Sequence, residues 1–305
     1  MTSWDRIEGL LGKETLEHLS ARTVAIIGLG SGGGFVAESL AMSGVGRFIL
    51  IDDDTLESVN VVRHVGDLRD VGRPKVDVVA DLIRARNPQA VITAIQGRVE
   101  AHLETLEQAD LVISGVDGER VKYVINEACL ALRLPAVYAG VYERGEGGDV
   151  VLIDPRNPAS PCYACWADDL REGIIDPDAD ALDYGMIGPD GTLEAEPGLW
   201  LHVVRVAAAQ ADMALNELLR ETPQYTPMPG NTVILANRAL EVFEGKVTPP
   251  YGAEWVNIAR DPHCMECAER DRLVDAANEE QLSLDELMSD SGIHYEEVAG
   301  TDGEA

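Results

Sequence analysis

The chain has 305 residues, with 54 Asp and Glu against 24 Lys and Arg, for a formal net charge of −30. At 46% hydrophobic and 26% charged residues it can build a core, which excludes wholesale disorder. A charge of that sign also excludes a nucleic-acid backbone as partner, because phosphate binding there needs clustered Lys and Arg.

Only four lysines occur, Lys13, Lys75, Lys122 and Lys246, and every other cation is an arginine. This balance fits a salt-adapted surface and equally a high-GC genome. No apolar run approaches the roughly 18–20 residues that a membrane helix needs. Met1 to Ser20 carries acids and no apolar h-region, so no secretory leader and no membrane partner are expected. The expected compartment is the cytoplasm, where thiols stay reduced.

Residues 1–21 read as a helical lead-in carrying Ile7, Leu10, Leu11, Leu16 and Leu19. VAIIGLG, Val24 to Gly30, is an apolar run ending in glycines, as a buried parallel strand does. A helix over Phe35 to Met42 and a second strand, RFILIDDD (Arg47 to Asp54), follow. Pro74 and Lys75 open a helix with Val76, Val79, Leu82 and Ile83 on one face, stopped by Asn87-Pro88. AVITAI is the third strand and DLVISGVD, Asp110 to Asp117, the fourth; a helix over Arg120 to Leu132 leads to PAVYAGVY and then GGDVVLID. The alternation predicts an α/β fold: a Rossmann-like, doubly wound, mostly parallel sheet with a C-terminal antiparallel extension.

The alternation breaks after Cys165. Residues 166–198 hold ten acids and one Arg and read as a crossover loop. An apolar helix over Leu199 to Leu219 and the strand-like TVILANRALEVFEG come next. Residues 22–267 are thus expected to form one catalytic domain. The segment 268–305, with twelve acids and two Arg from Glu269 onward, reads as an acidic tail with a helical turn around Leu282 to Met288.

Gly28-Leu29-Gly30-Ser31-Gly32-Gly33 lies between a strand and a helix. Its glycines let backbone N–H groups approach an anion at the helix N-terminus. Asp52 ends the second strand, where a carboxylate can hold ribose hydroxyls. Taken alone, these features read as a nucleotide site with NAD as the default. Asn60, Arg63 and Lys75 follow within a short span, and all three can bind phosphate oxygens. Asp117, at the end of the fourth strand, can hold Mg2+ bridging phosphates. Together these groups describe a triphosphate site and disfavour an NAD-dependent oxidoreductase.

Cys162/Cys165 and Cys264/Cys267 are two CxxC pairs separated by 98 residues, the pattern of a closed tetrahedral structural zinc clamping distant segments. Cys129 stands alone on an apolar helix face and reads as core.

The pieces VAIIGLGSGG, LIDDDTLESVNVVRH, GRPKV and SGVDGERVKYVINEACLALRLPAVYAG, with the two CxxC pairs, resemble the ThiF/MoeB/HesA family, relatives of the ubiquitin-activating enzymes, over about residues 4–267. The resemblance implies an enzyme that uses Mg·ATP to adenylate the C-terminal Gly-Gly carboxylate of a small ubiquitin-like or sulfur-carrier protein. Under it Gly28, Gly30 and Gly33 form the nucleotide loop and Asp52 binds the ribose. Asn60, Arg63 and Lys75 grip the phosphates, and Asp117 ligates Mg2+. Arg6 matches an N-terminal Arg that reaches the neighbouring subunit of a homodimer. Two departures are visible: Asn-Leu-x-Arg-Gln reads Asn60-Val61-Val62-Arg63-His64 here, with Val61 for Leu and His64 for Gln. The family's thioester or persulfide formers keep a Cys in the crossover region, whereas residues 166–263 contain none. Adenylation without an enzyme thioester, followed by a separate sulfurtransferase or nucleophile, is therefore expected. The alternatives are a peptide substrate and an inactive partner subunit. Intact Asp52, Arg63, Lys75 and Asp117 speak against the inactive subunit, and the negative charge against a tRNA acceptor.

Overall fold

The computed structural model describes residues 4–173, 198–243 and 245–268, with two short strands at 186–187 and 193–194. In chain order the elements are α1 (Asp5–Leu11), α2 (Lys13–Ala21), β1 (Thr23–Ile27), α3 (Ser31–Met42), β2 (Arg47–Asp52), α4 (Lys75–Arg86), β3 (Val91–Gln96), β4 (Leu111–Ser114), α5 (Glu119–Leu132), β5 (Ala136–Val141), β6 (Gly147–Ile153), α6 (Tyr163–Gly173), β7 (Met186–Ile187), β8 (Leu193–Glu194), α7 (Trp200–Leu218), β9 (Thr232–Ala236), β10 (Leu240–Phe243), β11 (Lys246–Thr248) and β12 (Ala253–Val256). The chain divides into two compact units, residues 1–261 and 262–305. The described part of the second is a run of turns in which the Ala268 N–H donates to the Cys264 carbonyl.

The first unit is built on an eight-stranded sheet of order β12-β9-β6-β5-β4-β1-β2-β3. β3, β2, β1, β4 and β5 run parallel, while β6, β9 and β12 extend the sheet antiparallel. Strand alternation divides the core into two layers. Val24, Ile26, Leu50 and Ile113 pack with residues of α3, α4 and α7 on one face. Ala25, Ile27, Ile49, Ile51 and Val112 pack with residues of α5 and α6 on the other. Burial on both faces is why these strands read as unbroken apolar runs. The order reverses between β1 and β4, so their C-terminal ends open a crevice at the switch point where open α/β sheets bind ligands.

Three local readings change. The lead-in is two helices, because Gly12 takes φ +82° between them. β2 stops at Asp52, where its carboxylate turns to accept the Asp54 N–H. The stretch read as a loop from residue 166 opens inside α6, and the β7–β8 pair lies farther along. The acids there obscure a helical face of Tyr163, Trp166 and Ala167, all of them buried. Leu282 to Met288 lies outside the described residues.

One buried charge works against stability. Asp149 on β6 is 2% exposed, and burial pushes its carboxyl up to about 6, with Lys122 offsetting only part of the effect. A carboxyl raised above its unfolded value of 3.8 favours folding while protonated and opposes it once ionised. The cost is absent below the unfolded value and complete above the folded one, where it is about 2–3 kcal/mol. Asp149→Asn is expected to raise stability by that order in denaturant melts at neutral pH. The gain should vanish at acid pH below the unfolded value; a gain independent of pH would contradict this origin.

Candidate functional site

The chain leaves β1 through Gly28, at φ +82°, and enters α3 at Ser31. A Cβ at Gly28 would lie 2.7 Å from Val116 Cγ1 and 2.8 Å from the Gly115 carbonyl carbon, and one at Gly33 would collide with the Gly28 carbonyl oxygen. These two glycines are therefore demanded by close packing of backbone on backbone. Gly30 differs, since a Cβ there would meet nothing within 4 Å. It faces open space at the helix start, where α3 has no side-chain cap and no acid in its first turn. Such an N-terminus suits an anion.

Asp52 pins the loop. Its Oδ2 accepts the Leu29 N–H at 2.6 Å and its Oδ1 the Asp54 N–H at 2.8 Å. Burial nevertheless holds its carboxyl above the usual range, more strongly than these two donors and Lys75 lower it. Asp54 Oδ2 in turn accepts Lys75 Nζ at 2.6 Å. Lys75 is the first residue of α4 and its side chain is only 11% exposed, against 65% for Asp54. The Thr55–Pro74 bridge and the Lys75 N–H to Asp54 carbonyl bond at 3.0 Å hold the two segments together.

His64 enters the same network. Its Nε2 lies 2.8 Å from the Leu29 carbonyl, and its Nδ1 accepts the Gly66 N–H at 2.9 Å. The ring is buried, which lowers its basicity. The sequence marks His64 only as a departure from the usual Gln, with no sign of these bonds.

The other predicted residues are placed as follows. Asn60 precedes the 3-10 turn Val61–Arg63, and its Oδ1 accepts the Glu57 N–H at 3.0 Å. Arg63 is half-buried, directly before His64. Asp117 is exposed two residues past Gly115, whose backbone abuts Gly28 and Gly33. The crevice thus gathers the glycine loop, Asp52, Lys75 and the start of the segment carrying Asp117. Arg6 lies on α1 and is exposed.

A second polar cluster escapes sequence reasoning. Lys122 is 4% exposed and its Nζ lies 3.5 Å from Glu119 Oε1. The Tyr163 hydroxyl donates to Glu119 at 3.1 Å, and the Tyr163 N–H to Asn126 Oδ1 at 2.8 Å. Two of the four lysines, Lys75 and Lys122, are therefore buried, and scarcity of lysine is the only signal that could have pointed to Lys122.

Tyr163 also fixes the first CxxC pair, because it stacks on Tyr138 with ring centroids 4.6 Å apart while Trp166 Nε1 donates to Thr232 Oγ1 at 3.0 Å. Cys162, Cys165, Cys264 and Cys267 are all buried thiols outside any disulfide. The donor chemistry, four soft thiolates, fits zinc.

The two kinds of glycine separate experimentally. Gly30→Ala is expected to melt within about 0.5 kcal/mol of wild type yet lose nucleotide binding, because only ligand space is filled. Gly33→Ala is expected to cost several kcal/mol, on the order of 3, or to prevent folding, because it displaces backbone. Equal melting behaviour of the two variants, followed by calorimetry, would contradict the packing role of Gly33.

The ThiF family pattern matches residues 5–226. The SAMP-activating enzyme E1 of Haloferax volcanii is 29% identical over 215 residues, covering 69% of this chain and 72% of that protein. The sulfur carrier protein ThiS adenylyltransferase of Escherichia coli is 34% identical over 179 residues, 56% of this chain and 68% of that protein. Among solved structures, E. coli MccB with ATP superposes with a TM-score of 0.62 at 20% identity, covering 83% of this chain and 68% of that one, a likeness of fold. With the pattern running from α1 through α7, the chain belongs to the ThiF family.

Proposed function

We propose that this chain, an adenylyltransferase by family, uses ATP to activate the C-terminal Gly-Gly carboxylate of a ubiquitin-like or sulfur-carrier protein, releasing pyrophosphate without forming an enzyme thioester. The observation that carries the reading is the connected set at the switch point: the glycine loop bonded to Asp52, and Asp52 linked through Asp54 to the buried Lys75. A cation held at a helix start beside the ribose-binding acid suits phosphates better than a nicotinamide.

In this reading Gly28, Gly30 and Gly33 shape the loop for the phosphates and Asp52 accepts the ribose hydroxyls. Asn60, Arg63 and Lys75 bind phosphate oxygens, with the phosphate displacing the exposed Asp54 from Lys75. A carboxylate oxygen of the carrier attacks the α-phosphorus, the bond to the bridging oxygen breaks, and the electron pair leaves on pyrophosphate. The attacking group is already ionised, so no side-chain base is required, and positioning with charge stabilisation supplies the catalysis. Mg2+ held by Asp117 would, when bound, add positive charge at the phosphates. Arg6 would serve the neighbouring subunit of a homodimer.

The thiols divide by role. Cys129 is buried and its thiol is pushed up to about 12 by burial alone, so almost none of it is thiolate at neutral pH. The four cysteines would hold a structural zinc, leaving no ligand position open for catalysis. The acyl-adenylate would then pass to a separate sulfurtransferase or nucleophile. The acidic stretch at 166–198 suits a carrier with some basic surface.

ATP–pyrophosphate exchange tests the reading. Exchange is expected with a Gly-Gly-ending carrier, lost in Asp117→Ala and reduced about 10²–10³-fold in Lys75→Ala without loss of folding. Carbamidomethylation of the folded chain is expected to spare Cys129 and leave exchange intact. Full exchange in Asp117→Ala would sink the site, and a carrier thioester trapped on Cys129 would sink the thioester-free route. Metal analysis is expected to find zinc in step with chain concentration, and Cys162→Ser to lose both zinc and thermal stability. An unchanged melt without zinc would contradict the structural role.

A further inference from the structure

His64 is a buried titratable group in hydrogen-bond contact with the glycine loop, and the reaction outlined above gives it no part. Its two ring nitrogens face unlike partners. An amide N–H can only donate, so Nδ1 is the acceptor for Gly66 at 2.9 Å, and the single proton of the neutral ring sits on Nε2. From there it donates to the Leu29 carbonyl at 2.8 Å. The N–H of the same residue, Leu29, is bonded to Asp52. One loop residue is thus clasped on both sides, by a carboxylate and an imidazole.

Peptide geometry carries the consequence to the ligand side. The Leu29–Gly30 peptide is trans, so its C=O and the Gly30 N–H point in opposite directions. A carbonyl held towards His64 turns the Gly30 N–H the opposite way, and Gly30 itself borders open space, since a Cβ there would meet nothing within 4 Å. We infer that His64 is a positioning residue for the nucleotide loop: its neutral Nε2–H tautomer fixes the Leu29–Gly30 peptide so that the Gly30 amide faces the phosphates. The inference rests on the adenylating reading for the identity of the ligand.

Protonation would undo the clasp, because an Nδ1–H would confront the Gly66 N–H donor to donor. The groups facing the ring are Lys75 from α4, which opposes protonation, and Asp52 from β2 and Asp70 from the loop before α4, which favour it. Burial outweighs them and keeps the ring below the usual 6.5, so the neutral form prevails near neutral pH. A glutamine can donate to the same carbonyl but cannot titrate.

The test is calorimetric binding of Mg·ATP to wild type, His64→Gln and His64→Ala across the acid range, with imidazole nitrogen resonances read on the wild type. The ratio of wild-type to H64Q affinities cancels the titration of the ligand and of Asp52. That ratio is expected to be flat at neutral pH and to fall about tenfold per pH unit below the His64 pKa. H64A is expected to bind about tenfold more weakly than H64Q at all pH values, the loss of one hydrogen bond. The resonances should report the Nε2–H tautomer. A ratio constant with pH, or a proton on Nδ1 in the neutral protein, would overturn the inference while leaving ATP binding and the adenylating reading intact. Failure of wild type to bind Mg·ATP at neutral pH would overturn that reading and this inference with it.

Discussion

The contact of backbone on backbone among Gly28, Gly33 and Gly115 governs the rest of the molecule. α3 approaches the end of β1 closely only because these positions lack side chains, and a Cβ at any of them would run into the others. That approach brings the uncapped N-terminus of α3 to the switch point between β1 and β4. It also presents the Leu29 peptide groups to Asp52 on one side and to His64 on the other. Loop, acid and imidazole form one hydrogen-bonded unit, and Lys75 is attached to it through Asp54. On the proposed reading, a unit tied together in this way is what electrostatic stabilisation of a developing charge requires.

Charge is distributed with the same economy. The chain carries −30 overall, yet two of its four lysines are buried. Lys75 pairs with Asp54 and Lys122 with Glu119, whereas Lys13 and Lys246 have side chains 73% and 62% exposed. At the opposite end of the sheet, Glu217 is nearly buried and clasped by Arg156 and Arg220, the latter at 2.6 Å, so arginine takes the structural pairings. Asp149 is the exception, a buried acid with a net cost to folding. It lies on β6 opposite Gly140, where a Cβ would sit 3.3 Å from its Oδ1.

Much of this was legible in the chain alone. VAIIGLG and RFILID read as buried parallel strands because both of their faces are covered, and the five-strand parallel half follows from the alternation with helices. The antiparallel extension was visible in GGDVVLID and TVILA. Local chemistry limited the rest. The acids of 166–173 obscured the apolar face of α6, since charge count and helical spacing pull in opposite directions. His64 matters through the Leu29 carbonyl that its Nε2 faces, and Lys122 is buried on α5 beside Glu119; neither relation leaves a mark on spacing. Nothing in the sequence sets Asp54 apart from its neighbouring acids, although its bond to Lys75 ties α4 to the end of β2.

The central claim is chemical: a carboxylate attacks the α-phosphorus of ATP at this crevice. It can be tested by labelling the C-terminal carboxylate of a Gly-Gly-ending carrier with heavy oxygen, incubating it with the enzyme and Mg·ATP, and hydrolysing the product. Mass spectrometry should then find the label in AMP and none in inorganic phosphate. Label in inorganic phosphate, the mark of attack at the γ-phosphorus, would contradict the account.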